Sequence, residues 1–261
     1  MQSLMNAAWI LLGVGSSSAA MDISLPRSGD ATPALNRAAA QVCGSVTDRH
    51  LNIATVGTIN FVTPPAAFNC ALQLSGQGTA TILTRQYSGG TFLQWVRGTD
   101  QSGGAIYDIN VAAGPNTHGG IAIYVKATPD TDGTVNSFNR HTFRIDAVLV
   151  GRRDVTSDWM QGIYLDGSQN PDGNPNSAPG IRGGWITRAS VSGTTGGSIY
   201  LYRARGWNID AECYIPLDGS FAGIIADGGT QGVRIFSRGC GARFVDAASD
   251  NMTLNGVPVS H

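Results

Sequence analysis

The chain has 261 residues, 17 basic against 18 acidic side chains, a net charge of −1 and only 13% charged residues beside 35 glycines. That length is enough to bury a sizeable core, and the near-neutral balance offers no basic face to displace counterions, which argues against a nucleic-acid partner. Lys126 is the one lysine and Glu212 the one glutamate, so aspartate dominates the acids, as suits a chain rich in turns where Asp bonds its own backbone.

Residues 1–30 read as an N-terminal anchoring segment or a signal-like peptide. The apolar run Ala7 to Gly15 followed by Ser16 to Ala20 suits a secretory signal, but no Lys or Arg precedes it, and it is too short to span a bilayer. A retained segment would pack against another chain. Asp22 to Asp30 is extended, with Pro26 and Gly29. Thr32-Pro33 opens a helix by a capping hydroxyl and an early proline, Leu35, Ala38, Ala39 and Val42 form its apolar side, and Gly44 ends it, so residues 31–44 are expected to be a capping helix.

From residue 45 to 261 the pattern is strand and turn. Leu51 to Val56, Thr58 to Val62, Ala71 to Leu74, Thr79 to Leu83, Thr91 to Val96, Ile106 to Val111 and Ile121 to Lys126 are apolar strands, and Thr128 to Asn139 is a polar excursion. Gly162, Gly184, Gly206 and Gly228 then stand 22 residues apart, and the segments that open Gly162-Ile-Tyr-Leu-Asp166, Gly184-Trp-Ile-Thr-Arg188 and Gly206-Trp-Asn-Ile-Asp210 align on them. A second excursion runs from Gly167 to Gly180, and Ala242 to Ala247 and Met252 to Val259 close the chain. A fixed period built of β-forming residues and turns predicts a solenoid, with about 22 residues allowing three short strands and three bends per coil.

These coils, with Leu72-Gln-Leu-Ser-Gly76-Gln-Gly78-Thr-Ala-Thr-Ile82 and Asp30-Ala-Thr-Pro-Ala-Leu-Asn-Arg-Ala-Ala-Ala40, resemble the right-handed parallel β-helix (pectin-lyase-like) superfamily, and within it bacteriophage tailspikes and tail fibres. The resemblance implies an all-β solenoid capped by the helix, a homotrimer, attachment to other virion tail or head proteins through residues 1–30, and adhesion to a host surface polysaccharide. The alternatives are a polysaccharide hydrolase or lyase of the same fold, virion-borne or secreted, and a structural decoration protein without a ligand. The fold alone does not choose among them.

If the 22-residue register holds, Arg144, Asp166, Arg188 and Asp210 share one column of alternating charge, either a groove of acids and bases or a salt-bridge ladder. Asp166, Asp210 and Glu212 are the candidate catalytic carboxylates of an enzyme, Asp210 and Glu212 sharing a strand face; Asp158 and Asp172 are further acids. The residue sets of polygalacturonases and pectate lyases are not matched: Thr131-Asp132-Gly133 is a fragment, and Arg234-Ile235-Phe236 lacks the family's lysine. For glycan binding the candidates are Trp159 beside Arg152 and Arg153, with Tyr164 and Asp172. Trp185 and Trp207, 22 apart, are read either as glycan platforms or as rings stacked in the core or at a subunit seam.

Cys43 and Cys70, like Cys213 and Cys240, are 27 apart, which permits two disulfides or four buried thiols. Scattered histidines and the lack of CxxC spacing give no metal site, and no cofactor is expected.

Overall fold

The structure, a computed structural model, describes residues 20–45, 49–97, 104–127, 143–167, 181–214 and 223–261. In chain order the first elements are β1 (Met21–Ile23), α1 (Thr32–Cys43), β2 (His50–Ile53), β3 (Gly57–Phe61), β4 (Gln73–Ser75), β5 (Thr81–Arg85), β6 (Thr91–Arg97), β7 (Ala105–Ala113), β8 (Ile121–Ala127) and β9 (Arg144–Arg152). They continue with β10 (Gln161–Asp166), β11 (Ile181–Arg182), β12 (Trp185–Val191), β13 (Ile199–Tyr202), β14 (Ala204–Arg205), β15 (Asn208–Cys213), β16 (Gly223–Asp227), β17 (Gln231–Arg238), β18 (Gly241–Phe244), β19 (Asp250–Leu254) and β20 (Val257–Pro258). The protein is thus mostly β, as its composition implies.

The strands form a 14-stranded and a 6-stranded sheet, and every described pairing is parallel except the closing β19–β20 hairpin. From β7 onward the chain alternates between them: β7, β9, β12, β15, β17 and β19 in the larger sheet, β8, β10, β13, β16 and β18 in the smaller. Each return adds one strand beside its predecessor, so equivalent side chains stack. One inward ladder of the larger sheet runs Leu51, Leu74, Ile106, Ile145, Ile186, Ile209 and Ile235. Ile123, Ile163, Ile199 and Ile224 stack likewise in the smaller sheet. All of these are at most 1% exposed and belong to one core. At about 25 cal/mol per Å² of apolar surface removed from water, burial on this scale is the main favourable term in folding.

Bends in the larger sheet have a local cause. Asp108, Ala147 and Arg188 are left-handed, with φ of 54°, 52° and 51°, and they occupy equivalent positions because Tyr107 pairs with Asp146 and Asp146 with Thr187. A non-glycine residue in this region carries strain, which the ladder on either side holds in place.

The 22-residue register does not survive. Gly162 lies in β10 of the smaller sheet, whereas Gly184 and Gly206 precede β12 and β15 of the larger one. The actual steps from Arg144 to Trp185, to Asn208 and to Arg234 are 41, 23 and 26 residues. Insertions at the corners lengthen a passage at little entropic cost without disturbing the ladder, so the stacking period in space is not a constant period in sequence. Arg144, Asp166, Arg188 and Asp210 therefore do not share a column: Asp166 pairs with Lys126 and Tyr202.

Helix α1 buries the expected Leu35, Ala38, Ala39 and Val42. Its cap is different, because Thr32 is already helical and its hydroxyl donates to the Thr63 carbonyl at 2.6 Å. Asp30 accepts instead from the Thr32 and Val62 amides and the Thr63 hydroxyl. These bonds outweigh burial, which opposes ionisation, and hold its carboxyl down at about 2.

Both cysteine pairs are disulfides, Cys43–Cys70 with Cα atoms 5.5 Å apart and Cys213–Cys240 with 4.8 Å. The first ties α1 to the segment before β4, the second ties the end of β15 to the turn before β18.

Candidate functional site

Two outward surfaces gather polar chemistry. On the larger sheet the centre is Asp146 of β9, whose carboxylate is buried. Its Oδ1 accepts from the Arg188 guanidinium at 2.8 and 2.9 Å and from the Thr187 hydroxyl at 2.8 Å, and its Oδ2 accepts from Arg144 at 2.6 Å. The Arg188 bond above all, then Thr187 and Arg144, overcome burial and hold Asp146 at about 2. The left-handed backbone at Arg188 leaves it at the bend within reach of Asp146, on the neighbouring strand. Beside this cluster, in register with Arg144, stands Trp185, 48% exposed; Phe236, 58% exposed, is paired with Asp210 two strands further on.

On the smaller sheet, Tyr124, Tyr164 and Tyr200 occupy one outward row, their ring centroids 5.2 and 5.0 Å apart along it. The adjacent row reads Lys126, Asp166, Tyr202 and Asp227. Tyr124 donates to Asp166 and Tyr200 donates to Asp227 at 2.6 Å, so the same diagonal bond is made twice. Burial first, and then the neighbouring carboxylates, push the phenols of Tyr124, Tyr164 and Tyr200 above their ordinary range. The sequence signal for this ladder is Ile123-Tyr-Val-Lys126, Ile163-Tyr-Leu-Asp166 and Ile199-Tyr-Leu-Tyr202, a repeat hidden by its uneven spacing.

The predicted site residues are dispersed. Trp159 is completely buried, its indole N–H donating to the Gly151 carbonyl at 2.6 Å, so it cannot be an exposed platform. It carries the guanidinium of Arg85 over its ring at 4.0 Å. Arg85 is itself fully buried, bonded to the carbonyls of Gly119 and Asp158, and burial lowers it to about 10. That buried cation was not legible in the sequence: an Arg in a strand normally marks a wet face. Arg152 ends β9 of the larger sheet and Arg153 follows it, whereas Tyr164 lies in β10 of the smaller sheet. Trp207 is buried and Trp185 exposed, so the two rings do not stack; Asn208, not Trp207, is the partner of Trp185. Asp210 and Glu212 share the outward side of β15, as alternation predicts. Asp166 is on the other sheet, facing away across the common core, and does not join them at one bond. Asp158 accepts from the Gly119 amide and bonds His118 at 2.7 Å. Asp172, Thr131 to Gly133, and residues 1–19 fall outside the described residues.

Among the described residues no three His, Cys, Asp or Glu side chains converge as metal ligands, and no helix is long and apolar enough to cross a membrane. No family model, no characterised protein and no solved structure matches the chain.

Proposed function

We propose that the chain is a right-handed parallel β-helix of the pectin-lyase-like kind, serving as a bacteriophage tail fibre or spike that attaches to a host surface polysaccharide. It works as a homotrimer and joins other virion tail or head proteins through residues 1–30. Two parallel sheets laid down by alternation, with stacked inward ladders, support the architecture. The observation that carries the binding role is the exposed Trp185 ring beside Arg144, Asn208 and the Asp146 cluster. A flat apolar ring covers the C–H face of a sugar while planar donors and an amide reach its hydroxyls.

A depolymerase is the second reading, favoured by one feature of the smaller sheet. Asp166 and Asp227 flank Tyr202 in one row, two strand spacings or about 9–10 Å apart, near the separation of the two carboxyls of inverting glycosidases.

The test is incubation of the purified protein with host polysaccharides, reading retention on the glycan, release of new reducing ends or unsaturated uronic acid, and molar mass in solution. Retention without products, weakened by Trp185→Ala, is expected for the adhesin. Products abolished by Asp166→Asn or Asp227→Asn would replace it with the enzyme, and virion binding without glycan retention would leave a structural decoration protein.

A further inference from the structure

We infer that the Trp185 surface is selective for acidic sugars, a deepening that rests on the glycan-binding reading above. Across five parallel strands one outward row reads Arg144, Trp185, Asn208, Arg234 and Thr253. It contains two cations, one exposed indole and no carboxylate. Trp185 is adjacent to Arg144 on one side and two strand spacings, about 9–10 Å, from Arg234 on the other.

The nearby acids offset only part of this row's charge, because one carboxylate, Asp146, is shared between Arg144 and Arg188. Asp146 is buried and its oxygens are occupied by Arg144, Arg188 and Thr187. Asp210 stands in the adjacent row, paired with Phe236, and Asp108 acts on Arg188 at the bend. Arg144 and Arg188 remain 61% and 67% exposed although Asp146 holds them, so most of each side chain faces solvent. Arg234 is exposed and makes no ion pair with a described residue. Asp146 therefore acts as a positioning residue: it immobilises two long side chains before a ligand arrives, which removes part of the ordering cost of binding.

The ligand this suits is a polymer of pyranoses bearing carboxylates. The apolar face of one sugar covers Trp185 while its carboxylate takes the planar donors of Arg144, and a carboxylate further along the chain reaches Arg234. A neutral sugar gives neither Arg234 nor the outer face of Arg144, which Asp146 already holds from the other side, an anionic group to bind.

Retention of the full chain is measured in gels containing acidic polymers (polygalacturonate, alginate, hyaluronan, polysialic acid), neutral polymers (dextran, mannan) or dextran sulfate, at low and high salt. The expected result is preferential binding to at least one carboxylate polymer, weakened about 10-fold or more by Arg144→Gln, by Trp185→Ala and by Asp146→Asn. Far-UV circular dichroism shows that each variant is folded, and the exposed Arg144→Gln keeps the test valid should Asp146→Asn unfold. Equal binding to neutral polymers overturns the acidic preference but leaves the glycan reading standing. Binding to dextran sulfate alone, indifferent to Trp185, overturns the sugar site in favour of general polyanion attraction. Binding to none sinks both.

Discussion

The ring of Trp207 occupies the space in which a Cβ on Gly184 would stand: such an atom would lie 2.4 Å from Cη2 of Trp207 and 2.6 Å from the Phe143 carbonyl oxygen. Gly184 is therefore required for packing, because the ring cannot move without losing its bond to the Ile181 carbonyl. Gly184→Ala is expected to cost about 1–3 kcal/mol, as overpacking does. In urea denaturation the loss should be smaller in a Trp207→Leu background, which removes the clashing ring atoms and leaves only the contact with the Phe143 carbonyl. Equal, additive losses would show that the clash is not what Gly184 avoids.

Arg85 is held by backbone carbonyls and the face of Trp159, with no carboxylate of a described residue bonded to it. Arg85→Met leaves those carbonyls unsatisfied and removes the cation from the ring, for an expected loss of about 3 kcal/mol or more. Arg85→Lys should recover only part, since an ammonium cannot make the fork of bonds to Gly119 and Asp158. Thermal unfolding of the pair checks this, and full recovery by lysine would contradict it.

Stability at low pH should depend on Asp146. Its carboxyl is held at about 2, below the unfolded value near 3.9, so its contribution is complete above about pH 4 and is lost as the pH falls toward 2. Discounted for the exposure of both arginines, the loss is about 1–2 kcal/mol. Urea midpoints between pH 5 and pH 2 should fall less steeply for Asp146→Asn than for the parent, and parallel curves would show that Asp146 is not responsible.

At high pH the tyrosine ladder takes over. The phenols of Tyr124, Tyr164 and Tyr200 are raised in the folded state, so their contribution is intact below the unfolded value near 10 and declines as the pH climbs beyond it. Phenolate absorbance should lag behind that of the unfolded chain until the protein denatures. In Tyr164→Phe the alkaline loss of stability should be shallower, and ionisation of all the tyrosines near pH 10 without unfolding would overturn the assignment.

Much was determined by the sequence alone. Alternating apolar residues made the strands, Leu35, Ala38, Ala39 and Val42 marked the helix face, and the equal spacing of the cysteines allowed both disulfides, because these depend on nearest-neighbour chemistry along the chain. Stacking between strands is a long-range matter, and there the glycine spacing misled: it joined Gly162 of one sheet to Gly184 of the other and put Trp207 beside Trp185. Corner insertions change the sequence distance between stacked residues while leaving their spatial distance at one strand spacing. Only the tertiary structure, by settling which residue lies over which, separated buried Trp159 and Trp207 from exposed Trp185. It likewise placed Arg85 in the core, aligned the three tyrosines, and gave Arg144 and Arg188 a common acceptor in Asp146 rather than partners in Asp166 and Asp210.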